Sequence, residues 1–249
     1  MFTARNSARR IGWGHLAALL LVAAVLKPSG AIQAGRHSLG IHRSAVAPIS
    51  VQSPVQPPLA APPLAPLINP GIDLRAGPVS VPLELRIPSL QINAVVVGVG
   101  ITAENVMDAP KGSAADPVWQ QAFWYRGGGT PGEVGTATFA GHVDDSLGRP
   151  AVFARLKELQ TGDLIFVHDT RSGHDVTFTV VKSATYSARQ AADPAVLAEI
   201  YGEGPVSGRG AQPAADGRAH LTLITCAGGF VNGAYDRRLV VYATRSESR

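Results

Sequence analysis

The chain has 249 residues, room for one sizeable domain or two small ones, and 45% of them are hydrophobic, enough for a real core. Its formal charge of +4 is unevenly spread: residues 1–82 hold seven Lys/Arg and one acidic residue, Asp73, whereas 83–249 hold 15 basic and 17 acidic residues. The C-terminal part therefore carries no net basic balance that would favour nucleic acid, and a single cysteine excludes an intrachain disulfide and zinc sites built from several thiolates.

Arg5, Arg9 and Arg10 precede an apolar stretch over 11–26, the pattern of an export signal. That stretch is short of the ~20 residues that a bilayer span requires. Ser29-Gly30-Ala31 also offers small residues for a signal peptidase, so residues 1–31 read as a signal peptide or a membrane anchor. In either case the basic end stays inside and the rest is exported. Residues 44–82 hold 10 of the 19 prolines and almost no charge. Such a segment builds neither helix nor ladder, so 32–82 is expected to be an extended extracytoplasmic linker. The folded domain is expected over 83–249.

From Leu83 the pattern is strand-like. Leu83, Leu85 and Ile87 alternate with Glu84 and Arg86, and 92–99 is rich in valine. Residues 136–140 lead into Ala140-Gly141-His142-Val143-Asp144. A short helix is expected over 151–159. Residues 164–167 and 176–181, separated by a polar turn, read as a hairpin. A second helix is expected from Asp193-Pro194, an N-cap followed by proline at the first helical position, to about Tyr201. The Gly-rich 202–217 stretch reads as a long mobile loop. Two last strands, 221–226 and 239–243, close a set of seven or eight, which fits a mainly β, closed or nearly closed barrel.

The chemistry gathers at strand ends. Cys226 closes an apolar, β-branched run just before Ala227-Gly228-Gly229, read as a flexible turn, and a thiol so placed is positioned to react. A buried, inert cysteine is the competing reading. His142 and an arginine before the final apolar run complete a cysteine acyl-transfer set. His142 could instead bond only a turn carbonyl. Asp144 could orient His142 or cap the 145–148 loop. His168, His174 and His220 read as structural or surface groups.

Thr222-Leu223-Ile224-Thr225-Cys226 resembles the TLxTC signature of the sortases, cysteine transpeptidases of Gram-positive cell surfaces. Trp124-Tyr125-Arg126, Pro131-Gly132-Glu133 and 140–144 are similar to class F members in particular. The resemblance covers 83–249. It implies an eight-stranded barrel and cleavage of an LPxTG-type sorting signal between Thr and Gly; separately, no cluster of carboxylates suited to calcium stands out, so no metal or cofactor is expected. The implied roles are Cys226 as nucleophile, His142 as proton donor and Arg238 as oxyanion donor. The implied partners are surface proteins bearing that signal and an amine of a cell-wall precursor, at the outer face of the membrane. Class F members usually read Tyr-Arg-Asp-Asn where this chain has Tyr235-Asp236-Arg237-Arg238. Residues 236 and 238 share a strand face, so Arg238 is preferred over Arg237. A tethered β-barrel that binds an envelope component without chemistry is the alternative.

Overall fold

A computed structural model of the chain describes residues 73–246. The signal or anchor segment and nearly all of the expected linker lie outside these residues. Among the described residues, no helix is long and apolar enough to cross a membrane.

Eight strands form a closed barrel: β1 (Val79–Ile87), β2 (Ile92–Val99), β3 (Ala122–Tyr125), β4 (Gly135–Ala140), β5 (Leu164–Asp169), β6 (His174–Ser187), β7 (Ala219–Val231) and β8 (Ala234–Arg245). Their order around the barrel is β1-β2-β3-β4-β7-β8-β6-β5. Two pairs, β2·β3 and β4·β7, are parallel and the remainder antiparallel. Period-2 alternation sends Leu83, Leu85 and Ile87 of β1, Trp124 of β3 and Leu221 and Leu223 of β7 into one interior cluster. Closure leaves no unpaired edge.

The residues of opposite parity face outward, and there the barrel carries a second layer. Helix α1 (Pro194–Tyr201) begins where Asp193 accepts a hydrogen bond from the Ala195 N–H at 2.9 Å, with Pro194 following the cap. Its buried Ile200 packs with Ile224, Val240 and Tyr242, and the Thr138 hydroxyl donates to the Ile200 carbonyl at 2.7 Å. One side of the β4–β7–β8 face is thus roofed, and the ends of β7 and β8 that carry Cys226 and Arg238 lie beyond it.

Three sequence expectations are corrected and one strand is added. The helix expected over 151–159 reduces to a 3₁₀ turn, Leu156–Glu158. The amides of Ala154, Leu156, Glu158 and Leu159 each donate to the carbonyl three residues back rather than four, so the segment closes tight turns and no α-helical ladder, while those of Ala151, Val152 and Phe153 donate to the carbonyls of Val143, Trp119 and His142. The 202–217 stretch contains a four-residue helix, α2 (Glu203–Val206), rather than only loop. Residues 227–229 are not a turn. β7 runs through them with a register shift between Ala227 and Phe230, and the chain reverses at Asn232-Gly233, both at positive φ (53° and 83°). Those angles suit a type I′ hairpin, which Asn-Gly favours. Lastly, Ala122–Tyr125 is a strand that the sequence reading had not assigned. All four of its residues are buried, so it lacks the alternation that marks a half-exposed strand.

The chain before Leu83 also joins the fold. β1 starts at Val79, and the strap 73–78 passes over the end of the barrel remote from Cys226. There the Ile101 N–H donates to the Leu74 carbonyl, and Arg126 Nη2 donates to the Ala76 carbonyl at 2.8 Å.

Candidate active site

Cys226 stands on β7 directly opposite Arg238 of β8. Directly opposed residues in an antiparallel ladder project to the same face, here the outer one, shared with the Ile224–Val240 pair one step along that face. On its other side Arg238 pairs with Tyr186 of β6. Arg237 opposes Ala227, is exposed and projects to the other face.

His142 arrives through the parallel β4–β7 ladder. The last paired residues are Ala140 and Ile224, and the contact continues past the strand end. The Gly141 N–H donates to the Ile224 carbonyl at 3.2 Å, and the buried Thr225 hydroxyl donates to the Gly141 carbonyl at 2.8 Å. That register, continued two residues past its last pair, brings His142 level with Cys226. The threonine before the cysteine therefore has a mechanical task, tying the histidine-bearing segment to the thiol-bearing strand.

The imidazole is held on three sides. Its ring packs against Trp119 (centroids 4.7 Å apart) and edge-on against Phe123 (5.4 Å). Nε2 lies 2.8 Å from the Pro110 carbonyl, which only accepts, so Nε2 bears a proton. Burial pushes the His142 pKa down and Lys111 reinforces this, while the Pro110 bond and Asp144 work in the opposite direction. The carbonyl that the ring bonds, that of Pro110, lies 32 residues before it in the chain.

Asp144 takes neither of the two parts considered for it. Its Oδ2 accepts a hydrogen bond from the Tyr235 hydroxyl. The loop cap is the next residue: Asp145 Oδ1 accepts from the amides of Leu147 (2.8 Å) and Arg149 (3.0 Å), and its other oxygen pairs with Arg149 Nε at 2.6 Å. Asp236, at the position where class F members usually carry arginine, accepts the Gly229 N–H at 2.8 Å and so secures the bulge beyond Cys226. Arg238 Nη1 donates to the carbonyls of Arg237 (2.8 Å) and Tyr235 (3.1 Å). Of the other histidines with hydrogen-bonding partners, His168 pairs with Asp175 at 2.8 Å and His220 with Asp216 at 3.0 Å.

The structure thus gathers Cys226, His142 and Arg238 at one end of the outer β4–β7–β8 face and leaves Arg237 outside. Sequence reasoning missed Trp119 and Phe123 as the seat of the histidine ring, and Tyr235 as the partner of Asp144. Tyr235 had only the weak signal of lying three residues before Arg238. Among the described residues, no group of three His, Cys, Asp or Glu side chains is placed to hold a metal ion.

Residues 85–246 match the family model described as Sortase domain. No curated protein matches the chain. Among solved structures, the chain resembles a lid mutant of sortase A from Corynebacterium diphtheriae at 17% identity and a TM-score of 0.47, covering 70% of this chain and 74% of that one. It also resembles sortase C-1 from Actinomyces oris at 20% identity and TM-score 0.45 (67% and 74% covered). A third similar structure is sortase C2 of pilus island 1 from Group B Streptococcus, at 19% identity and TM-score 0.44 (66% and 73% covered).

Proposed function

The chain belongs to the sortase family of cysteine transpeptidases, and from that membership we propose that Cys226 is the acylated nucleophile, His142 the proton donor and Arg238 the donor to the oxyanion. The observation that supports this most directly is the pair of ladders meeting at Cys226, one bringing Arg238 to its face and the other setting His142 beside it.

In the proposed cycle the Cys226 thiolate attacks the carbonyl carbon of threonine in an LPxTG-type sorting signal, forming a C–S bond and a tetrahedral oxyanion. Arg238 donates to that oxyanion, whose charge exists only in the transition state and the intermediate it flanks, so the interaction lowers the barrier rather than binding ground-state substrate. The C–N bond to glycine breaks as His142 passes a proton to the departing nitrogen. An amine of a cell-wall precursor then attacks the thioester, gives its proton to His142 and leaves with the acyl group. Segments 124–126, 131–133 and 140–144 favour a class F-like member. An N-terminal signal or anchor over 1–31 and a proline-rich spacer over 32–82 would hold such an enzyme at the outer face of the membrane.

The test is to incubate the full-length protein with a fluorogenic LPxTG-type peptide, with and without an amine acceptor. Cleavage that turns into transfer when the amine is present, through a thioester trapped on Cys226, is the expected result. Undiminished transfer by Cys226→Ala would overturn the assignment.

A further inference from the structure

Tyr235 touches the site through two of its groups. Its hydroxyl donates to Asp144 Oδ2, two residues beyond His142. Its carbonyl accepts from Arg238 Nη1 at 3.1 Å. The Asp144 bond, above all, pushes the Tyr235 pKa up to about 12, and burial and the charges of Asp144 and Cys226 act in the same direction. Across the hairpin its ring meets Phe230 edge-on at 5.2 Å, and that pairing fixes the direction of the side chain.

The bond to Asp144 spans 91 residues and joins two segments that are not ladder partners, since β8 is flanked by β6 and β7, not β4. On the Asp144 side the backbone is held in turn by a bridge to Pro150. Without this cross-link, the β7–β8 hairpin beyond the Gly228 bulge and the segment after His142 would each be anchored only on one flank. With it, the strand that bears Arg238 and the loop that bears His142 share one fixed point above Cys226.

We propose that Tyr235 is a positioning residue of the acyl-transfer site, clamping the β7–β8 hairpin to the segment after His142 so that His142 and Arg238 hold their places about Cys226. This rests on the roles assigned above to those three residues. Its action runs through Asp144 and not through substrate, which sets it apart both from a binding residue and from a group that merely fills space. A displacement of about 1 Å in a catalytic group is enough to cost on the order of a hundredfold in rate.

The experiment compares the full-length parent with Tyr235→Phe, Asp144→Asn and the double variant. It measures kcat and KM for a fluorogenic LPxTG-type peptide with an amine acceptor, the rate of Cys226 alkylation by iodoacetamide, and the melting temperature. Each single variant should lose about tenfold or more in kcat, with KM and alkylation within a few-fold of the parent. The double variant should be no worse than the poorer single one, because both substitutions cut the same bond. A Tyr235→Phe enzyme with kcat within about twofold of the parent, or losses that multiply in the double variant, would overturn the proposal. If Tyr235→Phe fails to fold, Asp144→Asn cuts the bond from the other end and decides the matter. Failure of the underlying assignment looks different: Cys226→Ala would then still transfer, whatever Tyr235→Phe does.

Discussion

A guanidinium directly across the ladder from a thiol, with an imidazole on the neighbouring strand's extension, makes three side chains separately testable. Cys226→Ala should abolish cleavage and transfer while leaving the melting temperature near the parent's, because the side chain is only half-buried at the edge of the core. His142→Ala should cost about 10²–10⁴ in kcat, the usual worth of a positioned acid–base group. Arg238→Lys keeps the charge but loses the planar fork, and a loss of about 10²–10³ in kcat is expected from removal of an oxyanion donor. Arg237→Ala should stay within a few-fold of the parent, because that side chain is exposed on the other face. The reverse result would mean that the face, and with it the catalytic register, has been misassigned. The histidine also carries a pH prediction. Burial and Lys111 lower its pKa, so the imidazolium that serves as acid is favoured only below the ordinary imidazole range, near 6.5. Replacing Lys111 by Gln removes a like charge, so the ring should titrate at higher pH, visible in the NMR shift of its Cε1 proton. Activity should fall at high pH as the imidazolium is lost. A profile that rises to a plateau in base would contradict the acid role of His142.

At the level of elements, the hairpin beyond Cys226 is a small machine of backbone angles. Gly228 sits at φ +82°, and a Cβ there would collide with the Asp236 carboxylate that caps the Gly229 amide. Gly228→Ala should therefore lower both the melting temperature and kcat, whereas Gly233→Ala at the distant tip should cost about 1 kcal/mol of stability with kcat near the parent's. Equal effects on kcat would show that the bulge does not position the site. This element also marks how far the sequence could be read. Alternating or valine-rich strands and the Asp193-Pro194 helix start were visible because local pattern and final structure agree. The end of the thiol strand was misread because Ala-Gly-Gly looks like a turn. The true turn, Asn232-Gly233, lay just beyond it, and the register shift that absorbs the glycines depends on Asp236 from the opposite strand. Residues 151–159 have helical spacing, but the first three amides are tied to Val143, Trp119 and His142, partners that only the tertiary fold supplies, and those of Ala154, Leu156, Glu158 and Leu159 reach back three residues rather than four. Of the candidate site, Cys226, His142 and Arg238 were singled out from their motifs. The seat of the histidine ring and the Asp144–Tyr235 link were not, since each joins residues far apart in sequence.

For the molecule as a whole, closure of the barrel makes its first strand as necessary as its last. Val81 is 7% exposed and belongs to the interior cluster, Val79 packs against it, and β1 pairs with both β2 and β5. Burying one valine is worth about 1.5–3 kcal/mol, and each kcal/mol moves the midpoint of a domain this size by about 2–4 °C. A chain beginning at Leu83 should thus melt about 3–12 °C below one beginning at Asp73. Equal midpoints would show that the strap and the first turn of β1 are dispensable. The parallel β4–β7 ladder has a further consequence, in time rather than in space. The Thr225–Gly141 bond that sets His142 beside Cys226 spans 84 residues, and contacts of such sequence separation form slowly because a long loop must close before they give any return. Until that loop closes, the chain carries a thiol with neither the proposed acid nor the proposed oxyanion donor beside it. On those roles, acyl transfer switches on only when the barrel zips shut, so the order of folding itself keeps an unfinished chain from reacting with the peptides it meets.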